Sequence, residues 1–356
     1  MNKNQPTRLF AGAGYTTSRS GEKIRGGLFR RVIGEGDWQI PAEGLPEQVE
    51  ARAFAFHPAE PDVIYAGTQD GPYRSIDGGV RWERLGFPER GVVIWSLVFH
   101  PTRPKVMYAG AAPAKIYRSV DSGDTWQRLE SAQSPEYCPM RFPTRVTGIA
   151  VDAGRPDDVY ASLEISGVIA SRDGGDTWAD RSAHLLKLAE LPHLSSPMSG
   201  VHPESGMIDA HSITVSGASS GTAFLAVRMG LFKTEDGGAN WQDMQVGRFS
   251  SLTYCRHVVV SPHDPCVMYA GLSDSSSGVI GSLYRSDDIG STWQRFDRDI
   301  KAEATMMSVS IHPRDADKVY CASRSGQVFG TEDAGSSWKE YRLPDGVRDV
   351  YTVACS

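Results

Sequence analysis

The chain has 356 residues, 40% of them hydrophobic, enough for one large core, since propellers and barrels exceed the usual domain size without dividing. A formal net charge of −6 argues against a nucleic-acid-binding surface, which leaves a basic footprint, and confines any cationic site to a local cluster. Glycine (37) and proline (21) are plentiful, no stretch is long and apolar enough to span a membrane, and Met1 to Phe10 contain no apolar signal core, so a cytoplasmic protein of many short strands and tight turns is expected.

In chain order the first extended segment is Leu9-Phe-Ala-Gly12, followed by Gly34-Glu-Gly-Asp-Trp38. The latter is a worn copy of a motif that then recurs six times, as Ser75-Ile-Asp77-Gly-Gly79-Val-Arg-Trp82, Ser119 to Trp126, Ser171 to Trp178, Thr234 to Trp241, Ser286 to Trp293 and Thr331 to Trp338. Its logic is that of a hairpin turn: Asp accepts backbone amides a few residues on, Gly supplies positive φ, and Trp opens the next strand by burying a ring. Successive tryptophans lie 44, 44, 52, 63, 52 and 45 residues apart, the period of a four-stranded propeller blade.

Two further strands precede each turn, as in Phe54-Ala-Phe56-His-Pro58 with Val63-Ile-Tyr-Ala-Gly67, or Val258-Val-Val260-Ser-Pro262 with Val267-Met-Tyr-Ala-Gly271. The chain thus opens on a second-strand segment and finishes on an unpartnered first strand, Val350-Tyr-Thr-Val-Ala-Cys355. Pairing the two closes the ring and removes a free sheet edge. The expected fold is all-β: one seven-bladed propeller of four-stranded antiparallel blades over residues 1–356, with a lid-like insertion at about 179–208.

The repeated turn resembles the Asp-box (BNR repeat) of sialidases, sortilin-type receptors, xyloglucanase-type glycosidases and photosystem II assembly-factor-like propellers, and the resemblance covers the whole chain. It implies that the turns lie between third and fourth strands, on the face opposite the binding site. Met140-Arg-Phe-Pro143 is similar to the Phe-Arg-Ile-Pro motif of sialidases, but it follows the second box rather than preceding the first, and seven blades replace six, so sialidase activity is not expected. Xyloglucanase-type enzymes pair two such propellers, which makes a glycoside hydrolase the weaker reading.

Alignment of the seven innermost strands on their exits gives rows. One and three residues before the turn the rows are apolar. Five before, the row is Arg52, Trp95, Thr147, His211, Arg256, Met307 and Tyr351; seven before, it is Glu50, Val93, Arg145, Asp209, Tyr254, Thr305 and Asp349. Strict alternation along a strand brings all fourteen to one mouth of the channel. Three arginines there suit the carboxylate of a small anionic molecule, held by charge-assisted hydrogen bonds, with Trp95, Glu50, His257, Asp349 and Met307 as further lining. Asp209, His211, Tyr254 and Tyr351 are the candidate acid/base groups. The same residue types also satisfy a solvated strand entry with structural ion pairs.

His257 stands in a row of small residues and reads as a hydrogen-bonded core histidine or a ligand. No cofactor is expected; a metal held by His211, His257 and Asp209 is the alternative, without a spacing signature. His57, His100, His263 and His312 belong to turns of the opposite face, and His184, His193 and His202 to the insertion. The five cysteines, Cys138, Cys255, Cys266, Cys321 and Cys355, form no CxxC pair and read as apolar fillers.

From box Trp to channel residue the chain spends 21 residues between Trp126 and Thr147 and 33 between Trp178 and His211. The second stretch, with a short helical pattern from His184 to Leu191 ended by Pro192, reads as a lid or pocket wall; the loops Tyr15 to Arg25 and Ser273 to Gly281 rim the other side. Two functions follow: an enzyme of hydrolase, lactonase or lyase type on a small anionic substrate, or a non-catalytic protein-binding propeller resembling photosystem II assembly factors. Neither a nucleic acid nor a membrane is an expected partner.

Overall fold

In each blade a run rich in β-branched and apolar residues forms the innermost strand, and the chain returns antiparallel through a second strand that reads Tyr-Ala-Gly in three blades and a variant of it in the others. A third strand then leads into the Asp turn. The computed structural model describes residues 6–17, 23–24, 26–137, 143–194 and 208–356. Among these residues six sheets have four strands in simple meander order, and the first blade runs Ala51–Phe56, Ile64–Thr68, Gly71–Ser75 and Glu83–Arg84. The innermost strands of the next five are Val93–Phe99, Val146–Val151, Ala210–Val215, Tyr254–Val260 and Met306–Ile311.

The seventh blade is the expected closure. Val350–Cys355 pairs with Arg8–Ala13, Leu9 opposite Cys355, and Arg8–Ala13 pairs with Gly27–Val32. Its fourth strand is reduced to a bridge in which Arg30 and Gln39 exchange backbone hydrogen bonds of 2.9 and 2.7 Å, just after the worn motif at Trp38. Each innermost strand packs against the next, and Val350–Cys355 against Ala51–Phe56, so the ring is complete.

The six Asp turns share one hydrogen-bond scheme. The Ser or Thr hydroxyl donates to the Asp carboxylate at 2.7–2.9 Å. It accepts the N–H of the glycine two residues after the Asp at 2.8–2.9 Å. The same carboxylate oxygen accepts the N–H four residues on at 2.8–3.0 Å. This collection of donors, led by the Thr177 hydroxyl, holds the Asp173 carboxyl down at about 2.

The core lies between blades rather than within them. Tyr65 of the first blade packs with Leu97, Met107, Tyr117 and Trp126 of the second. Its hydroxyl donates to Ser122 O at 2.8 Å, and Tyr108 does the same to Gly174 O of the third blade. A small residue two positions after each such aromatic serves the same joint: Gly12, Gly67, Gly110 and Gly271 in four blades, Ser162, Ala226 and Ala322 in the others. A Cβ on Gly67 would lie 2.9 Å from Ile94 O, and one on Gly12 2.4 Å from Ala51 O, so only a bare Cα lets the next blade's innermost strand come this close.

At that point every innermost strand is irregular. Its register slips by one residue between Ala51 and Ala53, Ile94 and Ser96, Val146 and Gly148, Ala210 and Ser212, Cys255 and His257, Met306 and Ser308, and Val350 and Thr352. The residue skipped is always the one five before the turn, which leaves it outside the ladder as a β-bulge.

Of the insertion expected as a lid or pocket wall, the structure describes residues 179–194 and 208. Helix Ala183–Ala189 buries Leu185 and Ala189 in the core between the third and fourth blades. His184 Nδ1 accepts the Trp241 backbone N–H at 2.8 Å, which fixes the start of the helix beside the fourth blade's outer strand. Of the leucines in that pattern, Leu185 is buried in the interblade core, Leu186 and Leu188 pack against it, and Leu191 is exposed. Residues 195–207, with His202, lie outside the described residues, as do Arg25, Cys138 and residues 140–142 of the sialidase-like segment.

Two outcomes test this architecture. Deleting residues 350–356 removes one strand of the closing blade and exposes the first; against a total stability of about 5–15 kcal/mol, cooperative unfolding near the wild-type temperature is not expected. A truncation that melts like the parent contradicts the closure. Replacing Gly67 by Val forces a side chain against Ile94 O and destabilises by about 1–3 kcal/mol or more, read by chemical denaturation. An unchanged midpoint contradicts the interblade contact.

Candidate functional site

The bulge decides which side chains reach the channel. The seven skipped residues, Arg52, Trp95, Thr147, His211, Arg256, Met307 and Tyr351, line one cavity of about 210 Å³, with the small row beneath them (Ala53, Ser96, Gly148, Ser212, His257, Ser308, Thr352) as its lower wall. This is the ring that the sequence places at the mouth. It is carried by the strand beginnings, on the face opposite the Asp turns.

The row seven before the turn is not part of that lining. An extra residue reverses strand parity, so the position that continues the apolar face is one closer: Ala51, Ile94, Val146, Ala210, Cys255, Met306 and Val350 are each at most 1% exposed. Glu50, Val93, Arg145, Asp209, Tyr254, Thr305 and Asp349 fall one step outside and act as a rim. In four blades the residue just after the second strand serves this rim. Gln69 Oε1 accepts the Glu50 N–H at 2.8 Å, Glu164 pairs with Arg145, the Arg228 N–H donates to Asp209 O at 3.0 Å, and Arg324 pairs with Asp349 at 3.1 Å. Sequence reasoning missed Glu164 and Arg324; their position at the second-to-third-strand turns of the mouth face is the signal that could have found them. Thr305 is wholly buried, and its hydroxyl donates to Ser275 O and accepts from Gly278 N, tying down the loop at 273–281.

Two of the three arginines are already neutralised. Arg52 Nη2 binds Glu50 Oε2, and its guanidinium stands 4.0 Å from the Tyr351 ring centre and 4.6 Å from that of Trp95. Arg145 Nε binds Glu164 and stands 4.2 Å from the same Trp95 ring. Tyr351 meets Trp95 edge-on at 5.3 Å. This half of the mouth is a cation–aromatic stack, so the expected three-arginine clasp is not what the geometry presents. Arg256 differs: it lines the cavity and forms no ion pair among the described residues. Its field is shared with Tyr254, Asp209 and Glu164.

Behind Arg256 sits a buried polar group. His211 Nδ1 lies 2.7 Å from Cys255 O, and its Nε2 lies 3.1 Å from the Tyr254 hydroxyl and 3.3 Å from Asp209 Oδ2. Burial pushes the imidazole below its ordinary value, so at neutral pH Nδ1–H donates to the carbonyl and Nε2 accepts the Tyr254 O–H. Asp209 Oδ1 is buried without a hydrogen-bond partner. The His211 side chain is 0% exposed: its backbone borders the cavity while its ring is sealed behind the wall.

His257 Nδ1 accepts the Val309 N–H at 3.3 Å, across to the next blade, the core role among the two considered. Among the described residues His211, His257 and Asp209 do not converge into a metal-ligand set. His57 and His100 accept backbone N–H groups of their own turns on the opposite face.

Burial, followed by the charge of Arg256, lowers the His257 imidazole to about 4. A histidine whose folded value lies below its unfolded value of about 6.5 contributes stability in full above pH 6.5 and loses it as pH falls towards 4. His257→Asn keeps an acceptor for Val309 without the titration. Its melting temperature should therefore fall less than that of the wild type between pH 6.5 and 4.5, and parallel curves would refute the assignment.

Comparison with known proteins agrees with this architecture. The family model for sortilin, neurotensin receptor 3, matches residues 281–354. Comparison with curated proteins finds no match. Among solved structures, an ancestral GH74 enzyme superposes with a TM-score of 0.60 at 15% identity over 91% of this chain, which spans only 40% of that enzyme's length. YCF48 from Cyanidioschyzon merolae gives 0.59 at 14% identity, covering 87% of this chain and 90% of that one, and YCF48 bound to a D1 peptide gives 0.53 at 14%, covering 83% of each. Identities this low establish the seven-bladed fold and carry no residue roles.

Proposed function

We propose that the chain binds a small carboxylate-bearing molecule at the channel mouth with Arg256 as anchor, and acts on it as a hydrolase, lactonase or lyase through the Tyr254, His211 and Asp209 group. The observation that carries this reading is the asymmetry among the arginines: Glu50 and Glu164 form ion pairs with Arg52 and Arg145, whereas Arg256 lines the cavity and forms no ion pair among the described residues. A concave, partly dehydrated site strengthens its attraction for an anion, and each charge-assisted hydrogen bond is worth about 1.5–3 kcal/mol. Tyr254 links the Arg256 side chain to His211 Nε2, the route by which a proton would pass.

The enclosure of His211 favours a second reading, in which the mouth binds without catalysis, as a protein-binding propeller does. A structural neighbour, YCF48, is known with a D1 peptide bound. Turnover separates the two.

A thermal-shift screen of carboxylate metabolites, followed by calorimetric titration of the hits, tests the proposal. Arg256→Ala should weaken binding by about 1.5–3 kcal/mol, and Arg256→Lys should restore little, because an ammonium lacks the planar paired contact. His211→Ala should lower turnover more than affinity. Equal affinity in wild type and Arg256→Ala refutes the site.

A further inference from the structure

Two joints between blades are bridged by the same ion pair, and a third keeps the arginine without the acid. In the first and second blades the third-strand residue opposite the second-strand tyrosine is an arginine, Arg74 opposite Tyr65 and Arg118 opposite Tyr108. Each binds the acid that follows the glycine of the next blade's Asp turn, Arg74 to Asp124 at 2.7 Å and Arg118 to Asp176 at 2.9 Å. The joint after the third blade has Ala170 and Ala239 in these two places, so arginine and acid are absent together. The joint after the fourth has Lys233 and Ser291, and Lys233 bonds Glu235 of its own blade at 2.6 Å.

The fifth blade keeps the arginine, Arg285 opposite Tyr269, but Ser336 stands in the place of the acid. Here there is a cavity of about 310 Å³ whose wall includes Arg285, Arg295, Arg298, Gln294, Gly335 and Ser336. Arg285 is turned back on Asp287 of its own blade, Nε donating at 2.8 Å, with its guanidinium 5.6 Å from the Phe296 ring centre. Arg295 Nε donates at 2.9 Å to Asp297, which is wholly buried and also accepts the Ser282 hydroxyl. Arg298 is exposed and forms no ion pair among the described residues. Three guanidiniums are thus matched by two carboxylates, and one positive charge is left over.

We infer that this cleft between the fifth and sixth blades binds a phosphate group, free or on a small monoester, with Arg285 in the role of Arg74 and Arg118 and with Arg295 and Arg298 supplying further N–H donors. The site is separate from the channel mouth and independent of its reading. A carboxylate satisfies the single arginine of the other two joints. A phosphate brings three accepting oxygens and close to two negative charges, which suits a cluster of three guanidiniums. Asp287 is the group the anion displaces from Arg285: its side chain is 67% exposed, and an ion pair so open to water is weak.

Calorimetric titration of the full chain with inorganic phosphate, glycerol 3-phosphate and acetate tests the inference, in the wild type and in Arg256→Ala, which removes the mouth's arginine. Phosphate or the monoester should bind at one site in both proteins, at least tenfold more tightly than acetate, and the tighter of the two identifies the source. Ser336→Asp installs the acid of the other joints and should weaken phosphate about tenfold or more without lowering the melting temperature. Arg298→Ala should weaken it by a similar factor, and Asp287→Asn, which removes the competing carboxylate, should tighten it. The inference is overturned if neither phosphate nor monoester binds, or if acetate binds as tightly as phosphate. It is equally overturned if phosphate affinity is the same in the wild type, Ser336→Asp and Arg298→Ala.

Discussion

The structure depends on the close approach of each innermost strand to the second strand of the blade before it. Ile94 against Gly67 and Ala51 against Gly12 show the constraint: backbone meets backbone at a separation that leaves no room for a side chain. Around this contact the larger groups are arranged to seal the joint. Two residues before Gly67, Tyr65 reaches the next blade's turn, and the box tryptophan Trp126 packs in the same cluster. Dense packing of this kind tolerates little change in volume, which makes the Tyr-Ala-Gly segment as much a part of the interblade seam as a strand.

The same approach shapes the channel. A one-residue bulge at the contact takes seven residues out of their ladders and sets them in the channel wall, so the geometry that joins the blades also builds the mouth. Electrostatics then sorts what the bulges present. On one side Arg52 and Arg145 are bound to Glu50 and Glu164 and stacked on Trp95, which offsets their charge while Arg52 Nε and Nη1 stay buried without a hydrogen-bond partner. On the other, Arg256 stands in front of Tyr254, His211 and Asp209, which share its field without closing an ion pair on it. The mouth therefore carries ion-paired arginines on one side and an arginine without an ion pair among the described residues on the other.

Most of the architecture was legible in the residues. The Asp turns, the tryptophan period and the orphan strand at Val350 state blade number and closure directly, because each repeats a local chemistry seven or nearly seven times. The ring of seven was legible too, since Arg52, His211 and Arg256 interrupt rows that are otherwise apolar. Strict alternation failed one step further on. A bulge leaves no compositional mark in a single strand, so Glu50 was read as channel lining when Ala51 holds that face. The pairing of Arg145 with Glu164 was hidden for a different reason: the partner sits at the end of another strand, and only the fold brings it across. Helix Ala183–Ala189 shows the limit of an amphipathic pattern, which says that a face is buried and not against what.

Closure by Leu9 and Cys355 sets the order in which such a molecule assembles. Every other sheet is a meander whose neighbouring strands are joined by a few residues, so blades can form from local contacts. The last sheet joins segments roughly 350 residues apart. Loop-closure entropy grows only with the logarithm of length, so this joint costs about 2 kcal/mol more than closing a loop of one blade's size. Its burden is kinetic: contacts this distant in sequence are formed late. Until then the first and sixth blades each expose the surface that will meet the seventh, and an open arc of six blades has two complementary ends. Two such arcs meeting end to end offer each other what the closing strand offers within one chain, so the rate of ring closure, set against protein concentration, decides whether this sequence yields propellers or chains of them.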